Sequence, residues 1–336
     1  ARDRGVVRMV GTWQGANRGW AGEVLVLVLV WVSIPAGGCP SSEPGASTPA
    51  GSSVEQATRA PEVESVRKER TIERVWSLEG FKAPESVLFD VDRQVIYVSN
   101  INGSPTSRNR KGFLSRVSPD GKILALEWVT GLNAPKGLAR VGDRLFVADI
   151  DTLVEVDIPS GKVTHRYRAA GVRFLNDVAA DRAGRIYVSD MLANAIYRLQ
   201  GDRFSLWVKD DALESPNGLL VEDQRLVVAA WGAMTDGWTT EVPGHLKTVS
   251  LEDRSVASLG SGQVVGNLDG LEPDGNGAYF ATDFTLGRLL RISPDGSFET
   301  LLQLRAGTAD LEYVPAKKRL FIPQMNDGRV DAYEVP

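Results

Sequence analysis

The chain has 336 residues, 43% hydrophobic and 24% charged, a balance ordinary for a globular protein and long enough for one large core or two average domains. A net charge of -5 and a pI near 5.3 argue against a general nucleic-acid binder, whose surface must be basic. The lone cysteine, Cys39, excludes an internal disulfide, and no stretch reaches the roughly 20 apolar residues that a membrane-spanning helix needs.

In chain order, the first element is an apolar run over residues 24–34, followed by Pro35-Ala36-Gly37-Gly38-Cys39. An apolar core followed by small residues reads as a secretory signal. Small residues directly before a single Cys resemble the bacterial lipoprotein box, in which that Cys receives lipid. Ala36 stands where Leu is usual, and Glu23 beside the run is atypical, so an ordinary cleaved signal is the alternative. Met9 is a candidate start, with Arg18 as the basic flank. Residues 1–39 are therefore expected to direct export, to the periplasm or to a membrane anchored through lipid on Cys39. Residues 40–69 are dominated by Ser, Pro, Gly, Ala, Thr and Glu, which cannot bury enough apolar surface to order themselves, and are expected to form a tether.

From residue 70 to residue 336 one phrase recurs six times. Its openings are Pro84-Glu85-Ser86-Val87, Pro135-Lys136-Gly137-Leu138, Leu175-Asn176-Asp177-Val178, Pro216-Asn217-Gly218-Leu219, Leu268-Asp269-Gly270-Leu271 and Ala309-Asp310-Leu311-Glu312. The second residues lie 51, 40, 41, 52 and 41 positions apart. A strand-rich period of this size is the signature of a propeller blade. Second strands follow at 95–99, 145–148, 186–189, 226–229, 279–282 and 320–322, apolar throughout as expected for sheets buried on both faces. Third strands come next, then turns such as Ser118-Pro119-Asp120-Gly121 and Ser293-Pro294-Asp295-Gly296, then fourth strands. The sixth unit ends without a fourth strand, while an unpaired strand at 71–78 precedes the first unit. The fold class that follows is all-β: a six-bladed β-propeller closed by an N-terminal strand completing the last blade.

Each opening then starts an innermost strand, and Glu85, Lys136, Asn176, Asn217, Asp269 and Asp310 crowd one mouth of the central channel. The long connections at 101–111 and 232–245 rim that mouth. Two carboxylates and two amides suit Ca²⁺, which takes oxygen ligands in irregular geometry. Zn²⁺ would prefer Cys or His, and the only histidines are His165, in a strand, and His245, at the end of a rim loop where it could touch a substrate. Lys136 fits a cation site poorly. It could pair with Asp310 as a structural ion pair, which is the preferred reading, bind an anionic substrate group, or weaken metal binding.

Over residues 70–336 the chain resembles the SMP-30/gluconolactonase family of six-bladed propellers, related to the paraoxonases and diisopropyl fluorophosphatase. The resemblance rests on Glu85, Asn176, Asn217 and Asp269 at the starts of blades one, three, four and five. It implies that these four hold a divalent metal, Ca²⁺ first, with Zn²⁺, Mn²⁺ or Mg²⁺ as alternatives. It also implies a hydrolase, most often a lactonase, acting on a small-molecule lactone or ester. Asp269, Lys136 and Asp310 are the candidate catalytic residues, with Asp177 as a support for the Asn176 amide. A monomer is expected. The contrasting reading is a non-catalytic, metal-stabilised propeller that binds or scaffolds outside the cytoplasm.

Overall fold

The structure is a computed structural model, and it describes residues 71–235 and 237–336. The expected export segment at 1–39, with Cys39, and the expected tether at 40–69 lie outside the described residues. No helix among the described residues is long and apolar enough to cross a membrane.

Six four-stranded antiparallel sheets form the six blades of a β-propeller. Their innermost strands are Pro84–Asp90, Pro135–Val141, Leu175–Ala180, Pro216–Val221, Leu268–Pro273 and Glu312–Val314. The first five blades each run through four consecutive blade strands. The sixth takes Glu73–Glu79 as its outer strand, paired antiparallel with Arg329–Glu334. The ring is thus closed by the displaced N-terminal strand. Trp76 fastens it: its indole N–H donates to the Pro119 carbonyl of blade one at 3.0 Å, and its ring lies 5.8 Å from that of Phe321 in blade six.

The apolar second strands follow from their position. A blade's sheet packs on both neighbours, so alternate residues of one strand serve two different interfaces. In Val95–Asn100, Tyr97 enters the cluster shared with blade two, beside Leu138, Leu145 and Val147. Ile96 and Val98 enter the cluster shared with blade six, beside Phe321 and Val330. One such cluster fills each of the six gaps between neighbouring blades. At roughly 25 cal/mol per Å² of buried apolar surface, these interfaces are the main drive to closure.

In these blades the channel mouth is where innermost strands begin and second strands end. The connection after the second strand of blade four folds into a small hairpin, Gly232–Met234 with Thr240–Pro243. Both long connections expected to rim the mouth emerge at that end.

Candidate functional site

Five innermost strands open in the same way. Pro84 faces Asn100 but Val87 faces Val98, so the two residues between them oppose one partner. The same slip follows Pro135, Leu175, Pro216 and Leu268. Each is a β-bulge, which turns a side chain out of strict alternation. The bulged pairs are Glu85-Ser86, Lys136-Gly137, Asn176-Asp177, Asn217-Gly218 and Asp269-Gly270. Both positions face the axis: Glu85, Asn217 and Asp269 line one small cavity together with Gly137, Asp177 and Asp310.

The bulges bring Glu85, Lys136, Asn176, Asn217 and Asp269 together from five blades, all buried. Blade six corrects the expected ring. There the bridge between Thr308 and Gln324 takes the place of the opening pair, so Ala309 is the ring residue and Asp310 stands one step further down. Its contacts match those of Asp177. Asp310 Oδ1 accepts from the Leu311 N–H and Asp177 Oδ1 from the Val178 N–H, each at 2.7 Å. The remaining oxygens reach into the next blade: Asp310 Oδ2 accepts from Ser86 Oγ at 2.5 Å, and Asp177 Oδ2 from the Leu219 N–H at 2.7 Å.

Two expectations fall with this register. Asp177 supports the junction of blades three and four rather than the Asn176 amide. Lys136 does not pair with Asp310, whose oxygens are already committed. Its ammonium donates to the Ala134 carbonyl at 2.8 Å and lies 4.4 Å from the centre of the Phe174 ring. Burial pulls Lys136 down to about 8, against the opposing pull of Glu85 and Asp149.

The remaining ring contacts leave oxygen atoms over. The Asn217 amide nitrogen donates to the Leu268 carbonyl at 3.3 Å, while its Oδ1 accepts from the Asn176 amide nitrogen. Asn176 Oδ1 and Glu85 Oε2 are buried without a hydrogen-bond partner. Burial, reinforced by neighbouring carboxylates, holds Glu85, Asp269 and Asp177 well above the usual carboxylate range. Burial also lifts Asp310 to about 6, and further down the channel Glu312 to about 8. Among the described residues, no group of three or more His, Cys, Asp or Glu side chains is disposed to hold a metal. The ring contributes two carboxylates and two amides, a set of oxygen donors.

The two histidines stand apart from this centre. His165 stacks on Tyr167 and lies 3.5 Å from Glu155, a structural setting. His245 Nε2 is 2.8 Å from Ser258 Oγ on the outer strand of blade four, so its partner is not a ring residue.

Two sets of supporting residues escaped the sequence reading. In blades one, three and five, Ser99 Oγ, Ser189 Oγ and Thr282 Oγ1 accept the bulge N–H of Ser86, Asp177 and Gly270 at 2.8–2.9 Å. At the ends of second strands, Asp149 accepts from the Ala134 N–H at 2.8 Å, and Asp190 from the Phe174 N–H at 2.9 Å. These bonds fix the loops that lead into Lys136 and Asn176. The visible signal was the acid or amide closing most of these strands: Asn100, Asp149, Asp190, Asp283 and Gln324.

A family model described as the SMP-30/Gluconolactonase/LRE-like region matches residues 83–310. Among solved structures, a gluconolactonase from Xanthomonas campestris is 17% identical, with a TM-score of 0.59 over 79% of this chain and 89% of that one. A structural-genomics protein assigned as a gluconolactonase is also 17% identical, with a TM-score of 0.56 over 79% and 91%. A virginiamycin B lyase from Staphylococcus aureus is 10% identical, with a TM-score of 0.55 over 79% and 100%. At such identities these likenesses speak for the fold alone. No curated protein matches the chain.

Proposed function

The chain belongs to the SMP-30/gluconolactonase/LRE-like family, and on that premise we propose that Glu85, Asn176, Asn217 and Asp269 form the centre of a divalent-metal-dependent hydrolase that opens lactones or related esters. One observation carries the proposal. Four oxygen-bearing side chains from four blades converge at one channel mouth, and two of their oxygens, Glu85 Oε2 and Asn176 Oδ1, are buried with no partner. Buried polar atoms are rarely left so in a finished structure. The donor set fits a hard cation, with Ca²⁺ preferred and Mg²⁺, Mn²⁺ or Zn²⁺ as alternatives.

A cation bound by these four residues would polarise the lactone carbonyl and favour developing negative charge on its oxygen. The chain's own groups account for the rest. The Leu268 carbonyl holds the Asn217 amide nitrogen and so fixes the orientation of that side chain. Asp269, ionised as one of the residues that would hold the cation, is placed to take a proton from water attacking the carbonyl carbon and to return it to the ring oxygen of the lactone as the carbon–oxygen bond breaks. Lys136 brings the ring's one basic side chain to the same mouth, where it can orient an acidic product group as the ring opens. Asp310, one layer below and bonded to Ser86, is assigned to holding blades six and one together. Export, with attachment through Cys39, completes the proposal and places this chemistry outside the cytoplasm in a monomeric protein.

A second reading is favoured by the near-complete burial of the ring, where Glu85 is 7% and Asn217 3% exposed. In that reading the cation plugs the channel and the propeller only binds. Acid release from a lactone panel, followed by pH indicator with the protein saturated in Ca²⁺, Mn²⁺ or Zn²⁺, separates the two. Turnover is expected, and Asp269→Ala should lower it about 100-fold or more. If no lactone is opened under any of these metals while EDTA lowers the melting temperature, the plug reading stands.

A further inference from the structure

The outer wall of the propeller carries a second concave site, far from the ring. A groove of about 700 Å³, open to solvent, lies between blades two and three. Arg166, Tyr167 and Arg168 line it from the outer strand of blade two, Lys162–Tyr167, and the residue after it. Asp202, Arg203 and Phe204 line it from the turn into the outer strand of blade three, Arg203–Lys209. Phe204 is buried and Tyr167 half-buried, and both belong to the apolar cluster that joins the two blades, so the floor is carbon. The Tyr167 hydroxyl is already bonded to Glu155 Oε2 at 2.8 Å. Outermost and innermost strands of a blade stand three strand spacings apart, about 14 Å, which separates this groove from the ring.

The walls bring three guanidinium groups together against one carboxylate, Asp202, in a chain whose net charge is -5. Arg166 Nη1 lies 4.0 Å from Asp149 Oδ2 and Arg168 Nη1 3.9 Å from Asp151 Oδ2, both beyond hydrogen-bond reach. Those acids are engaged elsewhere, Asp149 by the Asn133 and Ala134 N–H groups and Asp151 by Arg108 at 2.9 Å. Arg203 has no ion-pair partner among the described residues. The forks of all three arginines are therefore open to a ligand. A carboxylate is satisfied by one such fork, whereas a phosphate group presents enough oxygens for several. We propose that this groove is a binding site for a phosphate ester, its charged oxygens held by Arg166, Arg168 and Arg203 and its organic part lying over Tyr167 and Phe204. The volume is that of a small-molecule site. Asp202 opposes the anion and sets a limit on its affinity. The site stands whether or not the ring hydrolyses anything.

The test titrates the full chain, with no metal added, with pyrophosphate at low salt in a calorimeter. Saturable binding is expected, weakened at least fivefold by Arg166→Gln and by Arg203→Gln, and tightened at least twofold by Asp202→Asn. The opposite signs mark a ligand site, since a merely structural role for these exposed side chains would move neither. Succinate, a dianion of two carboxylates, should bind at least tenfold more weakly. No saturable binding, binding that the three substitutions leave unchanged, or succinate binding as tightly as pyrophosphate overturns the proposal. Sedimentation with phosphatidylcholine vesicles containing phosphatidic acid then identifies the source of the phosphate. Binding beyond that to phosphatidylcholine alone, lost in Arg203→Gln, upholds the site with a lipid headgroup as its ligand. Pyrophosphate binding without that gain on vesicles upholds it with a soluble phosphate ester.

Discussion

At the scale of single residues, the second bulge position explains why three of the six openings carry glycine. A Cβ on Gly137 would stand 2.3 Å from Asp177 Oδ1 and 2.5 Å from Asp177 Cα. One on Gly218 would stand 2.2 Å from the Asp269 carbonyl oxygen. The innermost strands pack backbone against backbone here, so the requirement is space rather than an unusual dihedral angle. Gly137→Ala should therefore push Asp177 off its bonds to Val178 and Leu219 and loosen the junction of blades two, three and four. Overpacking of this kind costs about 1–3 kcal/mol, and a displaced buried carboxylate adds to it. Urea denaturation should show at least that loss. A variant as stable as the parent would mean that the close approach of blades two and three relaxes freely.

At the scale of elements, the closing strand Glu73–Glu79 has little of its own to bury, and Trp76 is its main anchor. Trp76→Ala removes a half-buried ring and the bond to Pro119. It should cost about 2 kcal/mol in urea denaturation, below the ~3–5 kcal/mol of a fully buried aromatic. It should also speed aggregation, because a detached strand exposes the edge of Arg329–Glu334. Unchanged stability would show that the rest of the strand closes the ring unaided. This closure was legible beforehand because blade six lacked an outer strand and residues 71–78 had no partner. The second strands were legible because residues such as Ile96 and Tyr97 face two interfaces and leave no polar alternation. Glu85, Asn176, Asn217 and Asp269 were legible because spacing carries through a repeat. The register of blade six was not. Ala309-Asp310-Leu311 mirrors Asn176-Asp177-Val178, so Asp310 looked like a ring member when its level is that of Asp177. Nor was the fate of Lys136, whose long side chain settles against Phe174 from a loop between blades. The hairpin at 232–243 read only as a long connection, since its four-residue strand Thr240–Pro243 is too short to signal itself.

At the scale of the whole molecule, the channel is a column of carboxyls with little to neutralise it. Glu85, Asp177, Asp269 and Glu272 are all pushed upward by burial, Asp310 to about 6 and Glu312 to about 8. A carboxyl raised on folding binds its proton more tightly in the native chain than in the unfolded one. Between the unfolded value near 4 and the folded value, the native state holds more protons, so stability falls as pH rises. The stabilising effect is complete below about pH 4 and is lost through the range up to about pH 8. Lys136, lowered to about 8, has the opposite effect, but only above that pH, between about 8 and its usual value near 10.5. Protein stripped with EDTA should therefore lose melting temperature steadily from pH 5 to pH 8 at fixed ionic strength. A divalent cation at the ring would supply the missing positive charge and bind the ionised form best. Ca²⁺ in excess should then raise the melting temperature more at pH 8 than at pH 5, and binding at 100 times the dissociation constant contributes about 2.7 kcal/mol. Differential scanning calorimetry of the two forms across this range checks both signs. A metal-free melting temperature that rises toward pH 8, or a Ca²⁺ effect larger at pH 5, would mean that the column is neutralised by some other means than protons and a bound cation.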